Sequence, residues 1–406
     1  MPKVLNAMNY DIFILGNHEF NFGMTALDEI LKDMKAKQLT ANFYHKDGKR
    51  YIEPTTIIEK DGVKLGIIGL TTPMSAKFEE DTGHLKNMKF SSPSEEAKVQ
   101  IKALKEKGVD AIVVLAHMGI ENENNIPDTG VADLVNNVEG IDVIIVGHMH
   151  KNVSSETIKD TVVTEPHRYG TVVSEVDLTF DVGKDGKVKL LSKTAKTVPV
   201  KDYEADPEIV EIYKPYHEEL RRLNNVTIGQ SATDMVPQER KHGVSVSFLQ
   251  DTGLSSLITD VERHYSNADV VSFYFDTIQP GDTKYRYNAE RKKSKYVTFD
   301  IFGGVSYNID LRKPSGEKIV DLKLADGTPV TDDMKIKLGM NSYRFGQMTK
   351  KGGIWEGQQI PTLWESKVAM GQEKGTIQNM MIDYITNVKK GKVEGVSHNH
   401  WKIIGL

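Results

Sequence analysis

At 406 residues, with 39% hydrophobic and 27% charged side chains, the chain is long enough for two or three domains with buried cores, which excludes a single small module and a disordered polypeptide. Its 52 Lys and Arg against 57 Asp and Glu leave a formal net charge of −5, which excludes a bulk electrostatic grip on nucleic acid; the absence of cysteine excludes disulfides, zinc fingers, iron–sulfur clusters and thiol catalysis, so any metal must be held by His, Asp, Glu or Asn. No apolar run approaches the roughly 20 residues of a membrane helix, and Met1 leads into polar sequence rather than the apolar core of a signal peptide, so no membrane segment is expected and the sequence names no compartment.

In chain order, Tyr10–Leu15 predicts a short strand ending at Gly16. Leu27, Ile30, Leu31 and Met34 then recur at helical spacing, and Leu39–Phe43 predicts a second strand. The alternation continues with a strand at Val63–Thr71, a helix at Ser94–Lys107, a strand at Ala111–Leu115, a helix at Val131–Val138 and a strand at Val143–Val146, the signature of α/β layers. Val172–Thr179 and Val188–Thr197 alternate apolar and polar residues around Gly183-Lys184-Asp185-Gly186 and predict an antiparallel hairpin. Asp206 and Pro207 open a helix that keeps Ile209, Ile212, Tyr216, Leu220 and Leu223 on one face despite Pro215. From Val226 the pattern restarts as α+β, with a helix near Val246–Tyr265, strands at Val270–Phe275, Phe299–Ile309 and Lys335–Met340, and a late helix at Ile377–Val388. The expected domains are therefore 1–200, a linker helix at 201–225, and 226–406, with no internal repeat; the basic run Arg291–Lys295 reads as a solvated loop.

The chemistry-bearing residues follow three predicted strands. Gly16-Asn17-His18-Glu19, then Ala116-His117-Met118-Gly119, then Gly147-His148-Met149-His150 each stand directly after an apolar run. The carboxyl ends of strands in an open α/β sheet are where ligands collect, so the three loops are expected to converge on one cleft. His148 and His150, two apart on an extended backbone, are expected to point to one side and reach a metal cluster. A single His after a strand is ordinarily a satisfied loop residue; three in this arrangement favour a metal site. Imidazole and amide donors suit Zn, Mn, Fe, Ni or Co better than calcium.

In that order these motifs resemble the metallophosphoesterase domain of the 5'-nucleotidase family, and the segment Gly16–Gly23 (GNHEFNFG) is close to its usual wording. The second half resembles the family's C-terminal nucleotide-binding domain through Asn267-Ala268-Asp269-Val270, Phe275-Asp276, Gly281-Asp282, Phe302-Gly303-Gly304-Val305-Ser306-Tyr307, Asn341-Ser342-Tyr343-Arg344 and Trp401. The branch most resembled is the 2',3'-cyclic-nucleotide 2'-phosphodiesterase/3'-nucleotidase. The resemblance implies a metallophosphoesterase α/β/β/α sandwich followed by an α+β domain, and a metal-dependent hydrolase of nucleotide phosphoesters. Asn17, His117 and His148 would bind one metal and His150 the other. His18 would contact the phosphate and support the departing alkoxide, with Glu19 orienting it, while Phe302 and Tyr343 would sandwich the base and Asn288 and Arg344 would complete the substrate site.

Members of this family carry two divalent transition metals and are often secreted, periplasmic or attached to the cell wall. Their Asp-x-His and Gly-Asp motifs are absent from the 16 residues before Asn17, which implies that the chain starts inside the family's domain and binds at most one metal. It also implies the alternative of a catalytically impaired remnant that binds nucleotides without efficient hydrolysis.

Overall fold

A six-stranded sheet organises the first half of the chain. Its order is Thr55–Lys60, Val63–Thr71, Ala111–His117, Val143–Val146, Thr161–Pro166 and Asn152–Ile158. The four central strands run parallel, and the two outer ones pair antiparallel with their neighbours. The computed structural model describes every residue except 81, 242–243, 276–298, 351 and 406. It divides into two compact units, Met1–Leu223 and Asn224–Leu406.

Alternation along the central strands sorts the two faces. Ile112, Val114, Ile144, Val146 and Val163 pack with Ala97, Ile101 and Leu104 of the helix Pro93–Glu106, and with Val131, Leu134 and Val135 of the helix Val131–Asn137. The first of these helices starts where it does because the Ser92 hydroxyl accepts the Glu95 N–H, Pro93 occupies the first turn, and Glu95 and Glu96 meet the positive end of the helix dipole. Val113, Val143 and Val162 face the other way, onto Ile12, Ile14 and Leu39 and onto Val176, Leu178 and Ala195 of the hairpin Val172–Val182/Val188–Pro199. Fully buried aliphatic side chains such as Leu134 and Val114 each contribute roughly 1.5–3 kcal/mol over exposure. The short strands Ile12–Ile14 and Lys37–Leu39 pair in parallel across the helix Gly23–Lys32, whose Leu27 and Leu31 close a separate core with Leu15, Phe20 and Phe43. The predicted strand Leu39–Phe43 divides: Lys37–Leu39 and Phe43–His45 join different sheets, with Thr40, Ala41 and Asn42 fully buried between them. The unit ends in a helix, Pro207–Asn224, that accommodates Pro215.

The second unit holds two three-stranded sheets. Val270–Phe275 lies between Phe299–Gly303 and Leu338–Gly339, and Val305–Asp310 lies between Ile319–Leu324 and Trp401–Ile404. The expected single strand Phe299–Ile309 is two strands because Gly304 turns the chain with φ +84°; a Cβ there would sit 2.2 Å from the Asp269 carbonyl oxygen. The expected helix near Val246–Tyr265 is a 3-10 turn at Val246–Phe248 followed by a helix at Gly253–Ser266, which the Thr252 and Ser255 side chains cap reciprocally. The late helix continues from Ile377–Asp383 into a π turn at Tyr384–Val388. No helix among the described residues is long and apolar enough to cross a membrane.

Candidate functional site

The strand Ile12–Ile14 delivers the chain to a 3-10 turn at Asn17–Phe20. The turn closes because the Glu19 carboxylate returns to accept the Gly16 N–H at 2.6 Å. A Cβ on Gly16 would come within 2.8 Å of that carboxylate and 2.9 Å of the His117 ring, so glycine alone lets the turn and His117 share the space. A buried bracket fixes the strand ends. The Thr71 hydroxyl donates to the Leu15 carbonyl, the Asn42 amide takes the backbone of Thr71 from both sides, and Thr72 N–H donates to the His117 carbonyl.

Asn17, His117 and His148 meet. Asn17 Oδ1 lies 2.8 Å from His117 Nε2 and 3.1 Å from His148 Nδ1, and the two rings stand 5.3 Å apart. His148 Nε2 faces the Glu123 carboxylate at 3.1 Å. A carboxylate accepts only, so His148 Nε2–H donates to Glu123, and in the Nε2–H tautomer the Nδ1 lone pair faces Asn17. An amide oxygen and an imidazole lone pair facing each other at this distance are satisfied by a cation between them or by a turned amide, so the donor set fits one transition metal. Burial, then the neighbouring imidazoles of His148, His18 and His150, push His117 down to about 4, leaving it in the neutral form that ligates. Glu123 itself is held by a knotted loop in which Thr129 Oγ1 accepts its N–H and the Asn122 side chain accepts the N–H groups of Thr129 and Gly130.

His150 is placed differently from expectation. Its backbone is not extended: His148 has φ 77° and His150 has φ 57°, both left-handed, so the two side chains do not share a face by strand alternation. His150 is exposed, its ring 6.5 Å from Tyr169, and burial followed by the charges of Arg168 and His148 lowers its pKa. The facing turn repeats the geometry, with His167 at φ 58° and Tyr169 at φ 60°, and His167 N–H donates to the Lys151 carbonyl. Buried Glu165 accepts the Lys151 N–H at 3.0 Å and supports this turn from behind. Among the described residues no three His, Asp or Glu side chains are grouped to hold a metal; the cluster above is two imidazoles and an amide.

The orienting partner of His18 is Asn21, where sequence reasoning expected Glu19. In a tight turn residue i meets residue i+3, so Glu19 folds back to Gly16 while His18 Nδ1 lies 2.8 Å from Asn21 Oδ1. Glu123, Glu79 and Asn21 were all missed. Asn21 stands inside the quoted glycine-flanked segment, and Glu123 lies in a polar run just beyond His117; Glu79 carries no signal.

In the second unit Phe302 is half-buried against the core of Ile301, Tyr307 and Trp401, 6.3 Å from the Tyr307 ring. Tyr343 is 61% exposed on the helix Ser342–Thr349, whose start Asn341 caps by accepting the Arg344 N–H. Arg344 donates through Nε and a second nitrogen to Asp300, two residues before Phe302 on the same strand, and this ties the two elements together. Asn288, Asp276, Gly281, Asp282 and the run Arg291–Lys295 lie outside the described residues.

Residues 1–164 match the family of the bacterial capsule synthesis protein PGA_cap. The chain is 26% identical over 385 residues to the endonuclease YhcR of Bacillus subtilis, an alignment covering 84% of this chain but 30% of that protein. It is 24% identical over 509 aligned positions to the 2',3'-cyclic-nucleotide 2'-phosphodiesterase/3'-nucleotidase of Haemophilus influenzae, covering 99% of this chain and 75% of that one. The fold matches the crystal structure of a 5'-nucleotidase precursor from Thermus thermophilus with a TM-score of 0.60 at 20% identity, over 99% of this chain and 85% of the other. Against the Bacillus endonuclease the chain thus spans less than a third of its relative's length.

Proposed function

We propose that the chain, which is 24–25% identical to 2',3'-cyclic-nucleotide 2'-phosphodiesterase/3'-nucleotidases and a 5'-nucleotidase, is a metal-dependent phosphoesterase acting on nucleotides. The observation that carries the proposal is the convergence of His117 Nε2 and His148 Nδ1 on Asn17 Oδ1 at the ends of three strands. Asn17, His117 and His148 would hold a divalent transition ion, with His150 at the rim. Such an ion, when bound, supplies Lewis acidity toward a phosphoryl oxygen and lowers the pKa of a bound water.

The chain's own residues do the rest. Glu123 holds the His148 proton on Nε2 and keeps Nδ1 available. Exposed His18 meets the phosphate and manages the proton at the departing oxygen. Within the second unit, considered by itself, Tyr343 and Phe302 would take a nucleotide base by stacking, which tolerates any base. The test is calorimetric titration of chelator-treated protein with Mn²⁺ or Zn²⁺, together with hydrolysis of 2',3'-cyclic AMP, 3'-AMP and 5'-AMP. One ion is expected to bind, and His117→Ala is expected to lower its affinity by more than the 10–100-fold typical of outer partners and to abolish turnover. Identical titrations for wild type and variant would end the metal reading.

A second reading has its own observation. No carboxylate bridges the Asn17, His117 and His148 donors, and no group of three His, Asp or Glu is present among the described residues, so a second cation would be strongly repelled by the first. On this reading the 406-residue chain binds nucleotides but hydrolyses them slowly. Nucleotide binding without measurable turnover at saturating metal would select it.

A further inference from the structure

Behind His18 runs a chain of hydrogen bonds that the proposed metal site does not use. His18 Nδ1 lies 2.8 Å from Asn21 Oδ1, and Asn21 Nδ2 donates to Glu79 Oε1 at 2.5 Å. Glu79 is 3% exposed, and its second oxygen receives the Thr82 hydroxyl at 2.7 Å and His84 Nδ1 at 2.9 Å. His84 Nδ1 also lies 3.1 Å from the Phe20 carbonyl, at the end of the same 3-10 turn that carries His18.

The polarity of this chain follows from chemistry. A carboxylate only accepts, so the Asn21 amide must turn its NH₂ to Glu79 and its oxygen to His18. An amide oxygen also only accepts, so His18 must carry a proton on Nδ1, and its Nε2 is the nitrogen left for the substrate. Without Glu79 the amide could turn over, place its NH₂ against His18 Nδ1, and reverse the tautomer.

We propose that Glu79 is a positioning residue which, through Asn21, fixes the orientation of His18 and its Nδ1–H tautomer, so that Nε2 faces the phosphoester oxygen. This rests on the phosphoesterase reading of the site. No bond is made or broken in the relay: Glu79 and Asn21 hold the proton on Nδ1, and exchange with substrate takes place at Nε2.

The experiment has two readouts on the full chain. In alkaline buffer, ¹⁵N-edited spectra of the imidazoles, with the His18 signal assigned by its loss in His18→Gln, report the tautomer without any need for turnover. Steady-state hydrolysis of 3'-AMP with saturating Mn²⁺ separates kcat from KM.

Wild type is expected to show Nδ1–H. Glu79→Gln and Asn21→Ala are expected to move His18 toward Nε2–H and to lower kcat by about 10–100-fold with KM little changed, the cost typical of lost outer partners. Asn21 is exposed, so its alanine variant is expected to fold even if a change at buried Glu79 does not. The swapped pair, Asn21→Asp combined with Glu79→Gln, returns a carboxylate beside His18 with an amide behind it, and is expected to restore both the tautomer and kcat.

An Nε2–H tautomer in wild type, or an unchanged tautomer in Asn21→Ala, overturns the relay. If wild type shows no hydrolysis at all, the phosphoesterase reading falls while the tautomer measurement still decides on Glu79.

Discussion

Each unit buries a polar centre, and the two are built on opposite plans. In Asn224–Leu406 the Asp251 carboxylate takes the hydroxyls of Ser255, Ser256 and Ser397 and the His400 N–H, so both of its oxygens are engaged by donors. Those donors come from one helix start and the segment just before the strand Trp401–Ile404, and the result is a clamp for the fold. In Met1–Leu223, Asn17 Oδ1 and the nitrogens of His117 and His148 come from a 3-10 turn, a strand end and a loop and meet at a common point. The first arrangement serves the scaffold, and the second is the one proposed above to take a ligand. Titration behaviour separates the units as well. Burial and the neighbouring imidazoles hold His117 down at about 4, whereas burial alone lifts Glu262 to about 8, its Oε2 having no hydrogen-bond partner among the described residues.

The sharpest test of this contrast is the pH dependence of stability. Below pH 6.5 an unfolded His117 takes up a proton that the folded one refuses, so stability contributed by its neutral form falls as pH drops from 6.5 to about 4. An unfolded Glu262 loses its proton above pH 4.5 while the folded one keeps it, so stability falls as pH rises from 4.5 to about 8. Each limb scales at about 1.4 kcal/mol per pH unit of difference. Urea unfolding across this range is expected to show His117→Gln flattening the acid limb and Glu262→Gln flattening the alkaline one. Mn²⁺ is expected to deepen only the acid limb, since ion and proton compete for the same imidazole. A metal effect on the Glu262 limb would break the contrast.

A smaller effect is expected at Gly304. Alanine there must hold φ +84° and meet the Asp269 carbonyl, which is expected to cost roughly 1–3 kcal/mol in thermal unfolding while leaving the Mn²⁺ titration unchanged. Smallest and most selective is Tyr343→Ala, expected to weaken purine nucleotide binding by about 1–3 kcal/mol without altering metal affinity. Equal nucleotide affinity in that variant would remove stacking from the second unit.

The first unit was the more legible of the two. Its strands are apolar runs that end abruptly in Gly-Asn-His, Ala-His or Gly-His, so both the sheet and Asn17, His117 and His148 stand out along the chain. What escaped were groups acting at a distance in sequence: Glu123 reaches His148 across 25 positions, and Glu79 reaches Asn21 across 58. No local periodicity encodes such pairings, because they depend on which loops the sheet order brings together. The resemblance implied Glu19 as the group orienting His18, whereas in the 3-10 turn its carboxylate folds back to the Gly16 N–H. In the second unit aromatic residues serve cores and ligand sites alike, so Phe302 gave no signal of how deeply it packs. Gly304 was legible as a glycine but not as the point where one expected strand becomes two.

The left-handed backbone at His148, His150, His167 and Tyr169 has an implication for directed evolution. A side chain held in that conformation costs on the order of 1 kcal/mol relative to glycine. A library selected for heat resistance alone is therefore expected to drift toward glycine at these four positions, gaining melting temperature as it erases the imidazoles. In a screen that alternates heat with the proposed nucleotide turnover, the residues kept only under the second pressure would mark where chemistry outweighs rigidity.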